Sequence, residues 1–182
     1  MATKRADMFL EPGEDPRADG PGLGDEKATL AEFLRYQRQT LEVKCGGLDA
    51  DQLARRSVEP STMSLLGLVR HMAEVERTWF RRRLAKQDVP RRYQSEQDPD
   101  GDFEGAVADP AVVAEAWAAW REEVAFAERF LDEHDDLTIT CETRDGGVTS
   151  FREVLVHMVE EYARHNGHAD LLRERIDGRV GE

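Results

Sequence analysis

Residues 150–176 read SFREVLVHMVEEYARHNGHADLLRERI, the last long helical stretch of the chain. It opens on Ser150-x-x-Glu153, a capping box in which serine and glutamate side chains satisfy first-turn N–H groups reciprocally. Gly178 follows its expected end, where a left-handed cap favours glycine. At roughly 100° per residue, His157, Glu161, His165 and His168 fall within about 80° of one another. They form one polar, ligand-rich stripe beside an apolar face. Three of the five histidines lie in this helix, and a fourth, His71, lies in LLGLVRHMAEVERTWF at 65–80. Two helices can bring such groups together inside a bundle, and a divalent metal is the most economical reason to do so.

Working outward, a second long helix is predicted from Ser64 to Lys86. Its core stripe is Leu65, Leu68, Met72, Val75 and Trp79, with His71 at the edge of that stripe. Asp109-Pro110 starts a third helix running to Glu133, with Val113, Trp117, Trp120, Val124, Ala127 and Leu131 inward. Asp25 caps a first helix that buries Leu30, Phe33, Leu34, Leu41 and Val43 and stops at Gly46-Gly47. Between the third and last helices, TITCETRDGGVTS is β-branched on both sides of Asp-Gly-Gly and reads as a small hairpin or extended turn. Residues 87–108 lose periodicity and form a long crossover. Residues 1–24, with EPGEDPRADGPGLG, read as a flexible N-terminal arm. The expectation is therefore an all-α four-helix bundle over 25–178, preceded by that arm.

Composition narrows the function. A net charge of −13 disfavours nucleic acid as a partner, because phosphates would be repelled. There is no basic patch with interleaved aromatics, no long apolar run and no signal-peptide pattern, so a cytoplasmic protein without a membrane segment is expected. Cys45 and Cys141 have no metal or redox spacing and read as free thiols.

Glu161 and His165, four apart, suit two adjacent ligands of one ion, and a third ligand from another helix would complete a facial triad. The same spacing also suits solvated helix groups, so both readings stand at this point. His157 and His168 compete with Glu161 as ligands or act as accessory groups. His134, in the acidic run DEHDD, reads as solvated. The tryptophans read as core anchors. Arg81-Arg82-Arg83 and Arg173/Arg175 read as surface charges, with anion binding, for instance of a substrate carboxylate, as the functional alternative.

Two segments, PSTMSLLGLVRHMAEVERTWF (60–80) and LVHMVEEYARHNGHADLLRERIDG (155–178), resemble the DinB-like (DinB/YfiT-like) superfamily. The similarity is to its actinobacterial mini-circle-protein branch, also known as a domain of unknown function, and covers nearly all of 25–178. The resemblance implies up-down-down-up connectivity, a homodimer, and zinc or nickel held by His71, Glu161 and His165, and it leaves the role of His168 open. Many relatives carry histidine where Glu161 stands, but the thiol-dependent isomerases are similar to this chain in having a carboxylate there. His168 replaces a glutamine usual in the family. By the same resemblance the function is metal-dependent S-transfer or isomerisation with a low-molecular-weight thiol such as mycothiol and an electrophile. The alternative is a non-catalytic metal-binding or stress-associated helical dimer. No catalytic residue beyond the metal ligands is assigned.

Overall fold

The computed structural model describes residues 8–11, 13–17 and 22–181. Four long helices pack around one core. Helix α1 spans Glu26–Cys45, α3 Leu65–Glu76, α5 Pro110–Glu133 and α6 Phe151–Asp177, with short helices α2 (Ala50–Ala54) and α4 (Gly101–Glu104) in the connections. Strands β1 (Thr140–Glu142) and β2 (Val148–Ser150) form an antiparallel hairpin in the register Thr140↔Ser150. Helix α1 lies along α6, and α3 packs against both α5 and α6. Among the described residues no helix is long and apolar enough to cross a membrane.

The termini follow the capping chemistry expected. Asp25, Ser64 and Asp109 each accept a first-turn N–H, and Ser150 and Glu153 form a reciprocal box. The start of α6 is also held by the chain before the hairpin, because Phe151 N–H donates to the Ile139 carbonyl (2.7 Å). Gly178 adopts φ 78°, a left-handed cap in which a side chain would be strained.

The second helix continues past Glu76 as a π-helical segment, Arg77–Leu84, in which Ala85 N–H reaches the Phe80 carbonyl five residues back. This wider winding changes which side chains face inward. Phe80 and Leu84 are buried, whereas Trp79 sits at the edge of the core, not at its centre as an uninterrupted α-helical stripe predicts. Phe80, Phe130 and Phe151 meet edge to face, with centroids 5.3–6.4 Å apart, and close the hairpin end of the core.

A buried polar chain ties all four long helices together. Arg38 of α1 makes a two-pronged pair with Glu76 of α3, both contacts 2.8 Å. Tyr162 of α6 donates to Glu76 (2.8 Å) and accepts from the Trp120 indole N–H of α5 (2.8 Å). Desolvation and then the Glu76 charge raise the Tyr162 phenol far above its ordinary pKa, so it stays a donor.

One inward and one solvated assignment need correction. Phe33 is 59% exposed, and the buried face of α1 is completed by Arg38, Thr40, Lys44 and Cys45 instead. Apolar spacing cannot reveal a helix face that turns polar because its partners carry the matching charges. His134 is half-buried, stacked on Phe130 at 4.0 Å and bonded to the Phe130 carbonyl. The arm expectation falls partly outside the described residues. Of those described, Phe9 is buried beneath Lys44 and Arg179, which lie 4.2 and 4.1 Å from its ring centre. The absence of apolar periodicity in 1–24 gives no hint of this seat.

Candidate metal centre

His71 projects from the middle of α3, and Glu161 and His165 from successive turns of α6. One donor atom from each of the three lies within 4.8 Å of the others. Because α3 packs directly on α6, the edge position of His71 faces the polar stripe and not solvent. The ring centres of His71 and His165 are 4.7 Å apart, and the His165 Nε2–Glu161 Oε2 distance is 4.0 Å.

The tautomer of His71 is fixed by a residue from the crossover. Asp102, on α4, is fully buried and its Oδ2 lies 2.8 Å from His71 Nδ1. Burial works to raise the Asp102 carboxyl, but the His71 hydrogen bond and charge, the Gln94 amide and the Phe103 N–H outweigh it. The net shift is downward, so the group is a carboxylate. A carboxylate only accepts, so Nδ1 carries a proton, and in the neutral ring Nε2 is the free acceptor. That Nε2 is buried and without a hydrogen-bond partner among the described residues. A buried acceptor facing a second imidazole and a carboxylate is the arrangement a divalent ion satisfies, and an orienting carboxylate behind the ligand is its usual support.

Local packing places Asp102 there. Arg70, one residue before the ligand, donates to the carbonyls of Asp102 (2.8 Å) and Gly101 (2.9 Å) and stacks on Tyr93. Glu74, one turn along, accepts the backbone N–H groups of Arg92 and Tyr93. Gly101 is required by space, since a Cβ there would stand 2.3 Å from the Tyr93 carbonyl oxygen. Phe103 stacks on the His71 ring at 5.0 Å and covers one side of the site.

His165 is largely buried, its side chain 12% exposed. Desolvation, then the neighbouring His71, His168 and Arg164, lower its pKa to about 4. It is therefore neutral and ligand-competent at physiological pH. His168 Nδ1 lies 3.4 Å from His165 Nδ1, on the side away from Glu161. When His165 Nδ1 is the donor of that pair, its Nε2 is left for an ion. His157 is not part of this group: its ring meets Trp79 edge-on at 4.9 Å.

Sequence reasoning thus named the three side chains that converge and missed Asp102 and Gln94. Asp102 is one of several acids in SEQDPDGDFEG, a segment without periodicity. No spacing rule separates it from its solvated neighbours. The remaining nucleophile candidates are poorly placed. Cys45 and Cys141 are both buried free thiols, and desolvation pushes Cys45 up to about 12.

Comparison with known families gives a match over residues 29–178 to the family model described as mycothiol-S-transferase, a family within the DinB-like superfamily. No curated protein matches the chain.

Proposed function

The chain belongs to the mycothiol-S-transferase family, and from that premise we propose that it catalyses transfer of a low-molecular-weight thiol to an electrophile at a divalent metal held by His71, Glu161 and His165. The observation that carries this reading is the buried, unpartnered His71 Nε2 facing Glu161 and His165. Two imidazoles and one carboxylate suit zinc or nickel, and three protein ligands leave positions open. Such an ion supplies Lewis acidity that lowers the pKa of a thiol and makes a thiolate available near neutral pH.

The protein's own residues prepare that chemistry. Asp102 holds the His71 proton on Nδ1, and His168 buttresses the far nitrogen of His165. Glu161 brings one negative charge, and its side chain is 26% exposed, which keeps the site reachable. With Cys45 and Cys141 buried, the sulfur that reacts comes from outside the chain. In the transfer the external thiol gives up its proton to solvent, its sulfur forms a bond to the electrophilic carbon, and the bond from that carbon to the leaving group breaks, the leaving group departing with the bonding pair. The family match supports mycothiol as that thiol.

The accompanying proposals are a folding unit over 25–178, up-down-down-up connectivity, a cytoplasmic setting and a homodimer. Phe33 on α1 and Leu171 on α6, 59% and 54% exposed, are apolar surface that a second copy would cover.

The test is elemental mass spectrometry on untagged protein purified without chelators, beside His71→Ala and His165→Ala, with mycothiol consumption measured against an activated aryl halide. Near-stoichiometric zinc or nickel, lost in both variants together with turnover, is expected. Metal without turnover across a panel of thiols and electrophiles would favour the non-catalytic metal-binding dimer. No metal after incubation with zinc and nickel would overturn the metalloenzyme reading.

A further inference from the structure

The run Arg81-Arg82-Arg83 leaves the π-helical segment in three directions. Arg81 donates to Glu123 (2.7 Å) and Glu122 (3.3 Å) of α5. Arg83 donates to the Glu142 carbonyl and lies over the Trp79 ring, 4.8 Å from its centre. Arg82 is half-buried and has neither a hydrogen-bond nor an ion-pair partner among the described residues. By contrast, the neighbouring Arg70 and Arg77 on the same helix are matched to carbonyls and carboxylates.

Arg82 stands between two open clefts. The smaller, of about 580 Å³, is shared with Arg83, Lys86 and the hairpin. The larger, of about 1000 Å³, brings Arg82 together with Arg91 and Gln94 of the crossover and Arg144 at the hairpin tip. Glu96 and Asp100 also line it, which leaves a local excess of positive charge in a chain of net charge −13. Arginines from three separate elements line it. A guanidinium presents a planar fork of donors that matches a carboxylate, and the cleft is roomy enough for a small organic ligand.

The cleft is also wired to the metal centre. Arg91 Nη1 donates to Gln94 Oε1 (2.6 Å), and Gln94 Nε2 donates to Asp102 Oδ2 (2.9 Å). That same oxygen accepts from His71 Nδ1. Arg91 is therefore three hydrogen bonds, and Gln94 two, from the metal-facing imidazole.

We infer that this larger cleft binds a carboxylate of the electrophilic substrate, with Arg82 and Arg144 as its cationic contacts. Its identity as the electrophile's subsite rests on the S-transfer reading above, whereas binding of a carboxylate there does not. The substrate class is thus an electrophile that also carries a carboxylate.

The experiment titrates the metal-free full chain with succinate at fixed ionic strength, followed by amide chemical shifts, with the neutral diamide succinamide as control. Saturable shifts are expected at the Gln94 side-chain amide, Ser95 and the residues around Arg144, with none from succinamide. Arg82→Gln and Arg144→Gln should each weaken binding about tenfold, while Arg121→Gln, an exposed residue of α5, should not. Shifts that do not saturate, that spread over the surface, or that persist unchanged in Arg82→Gln would overturn the assignment. Because the titration uses metal-free protein, its outcome is independent of metal content and thiol turnover, and either reading can fail alone.

Discussion

His71 and Asp102, thirty-one positions apart, are joined by a 2.8 Å hydrogen bond that leaves the opposite imidazole nitrogen buried and unpartnered. The bond decides where the imidazole proton sits, and so whether Nε2 can act as a ligand. Asp102→Ala should leave the bundle folded, since the side chain bonds only to groups of the site and its loop. It should weaken metal binding roughly 10- to 100-fold, the usual cost of removing a carboxylate behind a ligating histidine. Competition against a chromophoric chelator measures this, and unchanged affinity would remove Asp102 from the site.

Acidification should destabilise the metal-free protein through His165. Its folded pKa, about 4, lies below the ordinary histidine value of 6.5, so the unfolded chain binds the proton more readily. The resulting stability is fully present above about pH 6.5 and is lost as pH falls toward 4. At full extent the loss is on the order of 3 kcal/mol. Urea denaturation across that range, with chelator present, should show a slope that His165→Gln flattens. An equal slope in both proteins would refute the assignment.

The Arg38–Glu76 pair should behave as a buried ion pair does. Arg38→Met leaves the Glu76 carboxylate buried with only the Tyr162 hydroxyl, and should cost about 3–5 kcal/mol. Tyr162→Phe removes one hydrogen bond from Glu76 and the acceptor of the Trp120 indole, costing about 1–3 kcal/mol. Because the residues share one network, the double variant should cost less than the sum of the two. Additive losses in denaturant titrations would show that the chain of contacts is not cooperative.

Both cysteines should be silent in the native state. Burial raises both thiols, Cys45 to about 12, so thiolate is scarce as well as inaccessible. A chromogenic disulfide reagent should report fewer than one reactive thiol per folded chain and two after denaturation. Rapid native labelling, with loss of turnover, would return a protein sulfur to the reaction.

Much of this architecture was legible in the sequence because helix caps and apolar spacing are local. Asp25, Ser64, Asp109 and Ser150 mark their helices correctly, and the stripe 157/161/165/168 together with His71 points to one face-to-face contact. What escaped is what depends on non-local partners. Glu76 and Arg38 look like surface charges until each supplies the other's counterion. Trp79 and Phe80 exchange prominence because the helix widens after Glu76, which no propensity signals. Asp102 and Gln94 acquire meaning only when Arg70 and Glu74 draw the crossover back over α3.

That crossover has a consequence for the order in which the molecule is assembled. Helix α3 can form from its own local contacts, but the loop bearing Asp102 must close over some thirty residues before His71 has a fixed tautomer. Closure of that span carries an entropic cost that local helix formation does not. Helix α3 can therefore be formed while the metal centre is still unfinished. A refolding experiment should show helical signal recovering first and tight metal uptake lagging behind it, with the loop as the slow step.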